Sequence, residues 1–178
     1  LGRPVLNENK EGGDGLPDSP YEISTATELK NFRDIVNGPS GNPDAWAVLM
    51  ENITLNSNEE WEPIGIISKQ YSGTFDGNGH TISGLYIKSS SDNYQGLFGY
   101  VYGGTVQDLT VSGDINGYKY VGGIVGYNNG GTVTNCAFSG TVTGSYYVGG
   151  IVGYNGNDAT VKNCYNTGSV TGVTGSSD

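Results

Sequence analysis

At 178 residues the chain fits one ordinary domain or a small cap joined to a repeat array, and its formal charge of −10 leaves too few Lys and Arg to neutralise nucleic-acid phosphates. Glycine supplies 31 residues while charged side chains make up only 15%, which excludes both a charged disordered tail and the composition of an ordinary α/β enzyme. No apolar run approaches the length that spans a bilayer, and Leu1-Gly2-Arg3 opens no signal-peptide hydrophobic region, so a secreted form is expected to have lost that segment already.

Residues 1–20, with Gly12-Gly13-Asp14-Gly15 and Pro17-Asp18-Ser19-Pro20, are expected to form a flexible leader. Tyr21-Glu22-Ile23-Ser24 predicts a short strand. Thr25 then opens a capping box with Glu28, placing a helix over about residues 26–36 whose apolar stripe is Leu29, Phe32, Ile35 and Val36. Asn37-Gly38-Pro39 stops it. Trp46 to Met50 and Ile53-Thr54-Leu55 predict strands, and Trp61-Glu62-Pro63-Ile64-Gly65 a corner. Residues 21–62 together read as an N-terminal cap, because an open solenoid end exposes strand edges and apolar core that an amphipathic helix can cover. Charge is concentrated in this half: residues 1–62 hold twelve acids and four bases, the remainder six and four.

Beyond residue 62 the chain repeats itself. Tyr120-Val121-Gly122-Gly123-Ile124-Val125-Gly126-Tyr127 recurs as Tyr147-Val148-Gly149-Gly150-Ile151-Val152-Gly153-Tyr154, 27 residues later, and Gly96-Leu97-Phe98-Gly99-Tyr100 is a shorter cousin 27 residues upstream. Ile82, Val106, Val133 and Val161 align in one row at spacings of 24, 27 and 28, and Leu85, Leu109, Cys136 and Cys164 in another. Gly99, Gly126 and Gly153 form a third row, each followed by Tyr. The extra residues fall in Gly/Asn turns such as Gly156-Asn157-Asp158, which leaves strands in step. Runs rich in Val, Ile, Thr and Tyr, bounded by Gly and Asn and without helical period, read as strands and corners. A unit this short cannot bury its own apolar face, but coiled once around an axis it stacks on its copies about 4.8 Å apart. The expected fold is mainly β, a parallel β-helix (β-solenoid) of four to five coils over residues 63–172. An antiparallel sandwich is the competing reading. It has no need for the same residue in the same place every coil.

The block Gly73-Thr74-Phe75-Asp76-Gly77-Asn78-Gly79-His80-Thr81-Ile82-Ser83-Gly84-Leu85-Tyr86-Ile87, the Trp61-Glu62-Pro63-Ile64-Gly65 before it, and Gly96-Leu97-Phe98-Gly99 with its Gly-Ile-Val-Gly variants at 123–126 and 150–153 resemble the GLUG-repeat family. The resemblance runs from Tyr21 to Thr171, with Leu replaced by Ile in the later copies. It implies a secreted or surface-exposed bacterial protein, often adhesin-like, in which such repeats build a β-helical stalk. The motif also occurs beside the catalytic part of some IgA-cleaving metallopeptidases. The resemblance supplies no catalytic residue.

Parallel β-helices also host pectin-degrading enzymes, which need carboxylates converging on neighbouring coils or a carboxylate cluster for calcium with a basic residue. In register, Asp108 is followed by Asn135 and Asn163, and Asp114 by Thr141 and Ser169, so no two carboxylates stack. Lys69, Lys88, Lys119 and Lys162 share no row, and Arg33 is the last arginine. No catalytic residue is assigned. The lone histidine, His80, reads as a turn residue after Asp76-Gly77-Asn78-Gly79, which lacks the later ligands of a calcium loop, so no metal or cofactor is expected. Cys136 and Cys164 are expected to stack as buried thiols, with a disulfide the alternative; the Asp108/Asn135/Asn163 row reads as a corner ladder of Asx side chains.

Tyrosine is the compositional feature with a functional edge: thirteen residues, of which Tyr100, Tyr127 and Tyr154 should form a column flanked by Tyr118, Tyr120, Tyr146 and Tyr147. Such a column either stabilises the sheet or offers a face to a sugar or a host or cell-surface protein. Thr-Val-Thr at 132–134 and 141–143 invites an ice-binding reading, broken by Asp114-Ile115-Asn116 and Ser169-Val170-Thr171. Residues 173–178 hold no closing helix, which points to a further coil of a longer chain or to end-to-end self-association. The expected function is a non-catalytic structural or adhesive module at the bacterial cell surface or outside the cell. A carbohydrate-binding module is the runner-up, and a polysaccharide-active enzyme follows.

Overall fold

The computed structural model describes residues 12–173. Every paired strand runs parallel to its neighbour, so equivalent side chains sit over one another and the sandwich alternative falls. One face of the solenoid stacks Tyr21–Ile23, Ala47–Leu49, Thr74–Asp76, Thr105–Gln107, Thr132–Thr134 and Thr160–Lys162 in that order. A second face stacks Ile53–Thr54, Thr81–Lys88, Thr110–Asn116 and Ala137–Gly144, the last continued by Tyr165–Asn166 and Ser169–Gly172. The third stacks Phe98–Tyr102, Val125–Asn129 and Val152–Gly156. The first face thus has six rungs where four to five coils were expected. Two rungs escape the repeat pattern because Tyr21–Ile23 and Ala47–Leu49 lack the Gly and Asn corners by which the later coils are recognised.

Alternation along each strand sends one side chain inward and the next outward. On the first face the inward column is Tyr21, Ala47, Phe75, Val106, Val133 and Val161. All are buried except Val161, which is 40% exposed on the last rung. Ile82 and Leu85 do not join the rows expected of them. Ile82 pairs with Val111 and Leu85 with Gly113 across an irregularity, while Phe75 takes the place opposite Val106. The motif Thr81-Ile82-Ser83-Gly84-Leu85 imitates Thr105-Val106-Gln107-Asp108-Leu109, but the longer turn at Gly77-Asn78-Gly79 shifts the true equivalence. Leu109 and Cys136 are buried and Cys164 half-buried, both cysteines being free thiols whose Sγ atoms approach backbone carbonyls.

Corners are built from residues that tolerate left-handed backbone. Asn78, Asp108, Asn135 and Asn163 have φ of 51°, 52°, 53° and 53°. Asx side chains suit this region because they can bond locally. Asn135 Nδ2 donates to Asp108 Oδ1 at 2.9 Å and Asn163 Nδ2 to Asn135 Oδ1 at 3.2 Å, so the corner satisfies its own polar groups. Elsewhere the coils approach so closely that a Cβ at Gly113 would overlap the Leu85 carbonyl, and one at Gly140 the Gly113 carbonyl.

The helix Ala26–Asn37 has the expected capping box, Thr25 Oγ1 accepting from Glu28 N and Glu28 Oε2 from Thr25 N. It buries Leu29, Phe32 and Val36. The Phe32 ring lies 6.2 Å from Tyr21, 6.1 Å from Tyr71 and 5.8 Å from Phe75, plugging the core beneath the first coils. Asn37 Nδ2 donates to Pro63 O and Gly65 N donates to Asn37 Oδ1, each at 2.9 Å. Of the expected leader, residues 1–11 fall outside the described residues. Residues 12–20 are held against the cap, Glu22 N bonding Gly12 O and Trp46 N bonding Gly15 O. The tail expected at 173–178 falls outside them as well, apart from Val173.

Candidate functional site

Parallel stacking turns a tyrosine repeated every 27 residues into a column. Strands Phe98–Tyr102, Val125–Asn129 and Val152–Gly156 pair Tyr100 with Tyr127 and Tyr127 with Tyr154. The rings stack at 4.7 Å and 25° or less off parallel in the first pair, where the planes differ by 21°, and at 4.9 Å and 25° in the second. The three expected residues are therefore brought together.

A second column, Tyr94, Tyr120 and Tyr147, runs beside it. Its rings stack at 5.1 Å in both steps, the planes differing by 18° and 11°. All three residues have positive φ, of 60°, 61° and 52°. That conformation is uncommon for an aromatic residue and is held here by repetition of the same corner. The two columns meet edge to face: Tyr120 against Tyr127 at 5.0 Å and 81°, Tyr147 against Tyr154 at 5.2 Å and 84°. Tyr120 and Tyr147, expected to flank the first column, thus build a second, and Tyr94, which the repeat spacing does not mark, completes it. Tyr94 precedes Tyr100 by one residue fewer than Tyr120 precedes Tyr127, so a fixed 27-residue comb passes it by. Gln95 faces Val121 while Phe98 faces Val125, which locates the missing residue between them.

The columns have a polar fringe. Asn129 Nδ2 donates to Tyr100 Oη at 3.0 Å, and Asn157 Nδ2 to Asn129 Oδ1 at 2.7 Å. Lys119 Nζ lies 4.8 Å from the Tyr120 ring centroid and 5.5 Å from that of Tyr147, a cation held over the ring faces' negative quadrupole. Desolvation, followed by the neighbouring phenols, raises the Tyr94 and Tyr127 hydroxyls above their ordinary pKa. Tyr118 and Tyr146 form a separate edge-to-face pair at 5.5 Å. Within each column the ring faces stack on one another, and Lys119 shares those of Tyr120 and Tyr147. Among the described residues the columns end at Tyr147 and Tyr154, which are 50% and 36% exposed.

Other expected positions have plain surroundings. Nδ1 of His80 lies 3.3 Å from Asn52 Oδ1 on a turn. Asp114 stands opposite Tyr86 and Thr141, and Asp76 opposite Gln107, whose amide donates to it at 3.2 Å. Among the described residues, no helix is long and apolar enough to cross a membrane. Thr74, Thr105, Thr132 and Thr160 form an unbroken outward column, but its companion column reads Asp76, Gln107, Thr134 and Lys162.

The GLUG motif matches residues 117–143 and 144–171, two successive coils. A provisionally named Gly-rich membrane protein of Evansella cellulosilytica is 34% identical over 109 residues, covering 58% of this chain and 12% of that protein. Halomucin of Haloquadratum walsbyi is 35% identical over 121 residues, covering 62% of this chain and 1% of halomucin. The chain thus spans only a small part of the length of these relatives. A solved structure from Bacteroides ovatus, provisionally named an immunoglobulin A1 protease, superposes with a TM-score of 0.58 at 19% identity, over 89% of this chain and 60% of that one. At that identity the likeness concerns the fold alone.

Proposed function

Because the chain carries GLUG repeats on a parallel β-solenoid, we propose that it is a non-catalytic structural and adhesive module of a bacterial cell-surface or secreted protein. The observation that supports this most is what recurs from coil to coil. Apolar columns, glycine crossings, Asx ladders and tyrosine stacks all recur, each satisfying its own kind. Carboxylates do not recur in these rows: Asp76 and Asp108 are followed on the next coil by Gln107 and Asn135, and the carboxylates that do share a groove, Glu60, Glu62 and Asp92, belong to no repeated row. The names of the two relatives, a Gly-rich membrane protein and halomucin, favour a surface location. We read residues 21–62 as the cap of this module and 63–172 as its repeat array.

The exposed last rung of the tyrosine columns favours a second reading, a carbohydrate-binding face at Tyr100, Tyr127 and Tyr154. Within that column the faces between Tyr100, Tyr127 and Tyr154 are filled by stacking, so a sugar would meet it at Tyr154, which is 36% exposed. The mixed Asp76/Gln107/Thr134/Lys162 column argues against ice binding, which a uniform threonine array would serve better. Glycan-array screening with Tyr127→Ala as control separates the readings. A scaffold shows no tyrosine-dependent ligand. Attachment of the wild-type module to cells or host surfaces, measured on coated beads, tests the adhesive role, and beads that attach no better than uncoated ones would end it.

A further inference from the structure

The stacked phenols have a chemical consequence of their own. Tyr120 and Tyr147 are held face to face at 5.1 Å with planes 11° apart, and Tyr127 and Tyr154 at 4.9 Å and 25°. Each pair joins successive coils, and in each the later ring is the more open to solvent, at 50% for Tyr147 and 36% for Tyr154. Since like side chains sit in register on parallel strands, the two rings of each pair present equivalent edges to one another across the step between coils. Two reactive groups held in this way behave as though present at very high local concentration.

We propose that this double column is a site of oxidative cross-linking, in which a one-electron oxidant of the peroxidase–peroxide class joins Tyr120 to Tyr147, or Tyr127 to Tyr154, as dityrosine. Each phenol gives up one electron and its hydroxyl proton. The two radicals couple through a new carbon–carbon bond ortho to oxygen. The hydrogen displaced from each coupled carbon returns to the phenol oxygen through solvent as aromaticity is restored. One hydrogen peroxide takes up the two electrons and two protons and leaves as two waters. The product is lighter by two hydrogens and carries a covalent staple between coils, in a chain whose two cysteines are free.

The edge-to-face contacts between columns serve the reaction as well. A radical formed on the exposed Tyr147 can pass to Tyr154 at 5.2 Å, and one on Tyr154 to Tyr120 at 5.7 Å, so oxidation entering at these rings is shared between columns before it couples.

The test is treatment of the folded chain at low concentration with horseradish peroxidase and limiting hydrogen peroxide. The expected product is a monomer with blue dityrosine fluorescence, two hydrogens lighter, whose protease digest joins the peptide of Tyr120 to that of Tyr147 or the peptide of Tyr127 to that of Tyr154. The double variant Tyr147→Phe/Tyr154→Phe keeps the rings and should remove the joined peptides of Tyr120 with Tyr147 and of Tyr127 with Tyr154, leaving only coupling of the less exposed pairs Tyr94 with Tyr120 and Tyr100 with Tyr127. Tyr146→Phe and Tyr165→Phe should leave the joined peptides unchanged. The proposal is overturned if the joined peptides contain Tyr118 and Tyr146, if coupling is mainly between molecules through Tyr102 or Tyr165, if no dityrosine forms, or if urea-unfolded chain couples the same pairs as efficiently.

Discussion

Asn37 pairs with Gly65 as a strand would. Its side-chain oxygen accepts from Gly65 N while its amide donates to Pro63 O, both at 2.9 Å, so the last turn of the helix supplies the hydrogen bonds a further rung would have made to the segment beneath Phe98–Tyr102. This is edge protection by a single side chain. Replacing it with Ala leaves a donor and an acceptor without partners. Asn37→Ala is expected to cost about 1–3 kcal/mol, read as a lower urea midpoint at unchanged slope. An unchanged midpoint would show that water serves the edge equally well.

The same cap should be fragile at Phe32, whose ring meets Tyr21, Tyr71 and Phe75. Phe32→Ala should cost about 3–5 kcal/mol, because three surrounding rings cannot collapse into the space. Phe32→Leu should recover more than half of that in the same denaturation experiment.

Gly113 lies where neighbouring coils cross, and a side chain there would meet the Leu85 carbonyl. Backbone cannot move aside as a flexible side chain can. Gly113→Ala is expected to destabilise the fold by about 1–3 kcal/mol as an overpacking substitution, with Gly79→Ala, which meets no neighbouring atom but has φ of 77°, as the comparison for pure backbone strain. Equal losses in the two variants would remove the steric argument.

Alkali should open the structure. Burial first, and then the Asp44 charge, raise the Tyr71 hydroxyl well above 10.0, and desolvation raises those of Tyr94 and Tyr127. A tyrosine is neutral when protonated, so a raised folded pKa gives stability that is complete below the unfolded value and lost as pH climbs through the folded one. Chemical stability should therefore be flat towards neutral pH on this account and fall above about pH 10. Tyr71→Phe sacrifices the hydrogen bond to Ala45 O at 2.9 Å but should flatten the alkaline fall. A fall as steep as that of the wild type in this variant would assign it to other groups.

The two thiols should differ. Burial pushes Cys136 up to about 12, and its side chain is shielded, whereas Cys164 is half-buried near the last rung. Alkylation of the native protein at mildly alkaline pH should label Cys164 at least about tenfold faster, as followed by mass spectrometry, because the thiolate is the reactive form. Equal rates would mean that the last coils open readily.

What could be seen in the residues beforehand depended on repetition. Val106, Val133 and Val161, the corner Asx residues and Tyr100, Tyr127 and Tyr154 were legible because a parallel coil turns equal spacing into contact. Thr25 and Glu28 were legible because a capping box is local. Ile82 was misplaced because its neighbours mimic a row that Phe75 occupies, and the first two strands, expected as strands of the cap, were not recognised as rungs of the stack because pairing across a helix leaves no local signature. Tyr94 was hidden by a single absent residue. The interlocking of the two columns depends on ring orientation, which spacing does not encode.

The Asn and Gly corners carry one more implication. Because each coil packs against its neighbours largely through recurring columns, a coil can be duplicated or deleted in the gene without redesigning the ones that remain, and the helix at one end is indifferent to how many follow. Each duplication adds about 4.8 Å of height. The length of the stack then becomes a quantity that selection can adjust by counting.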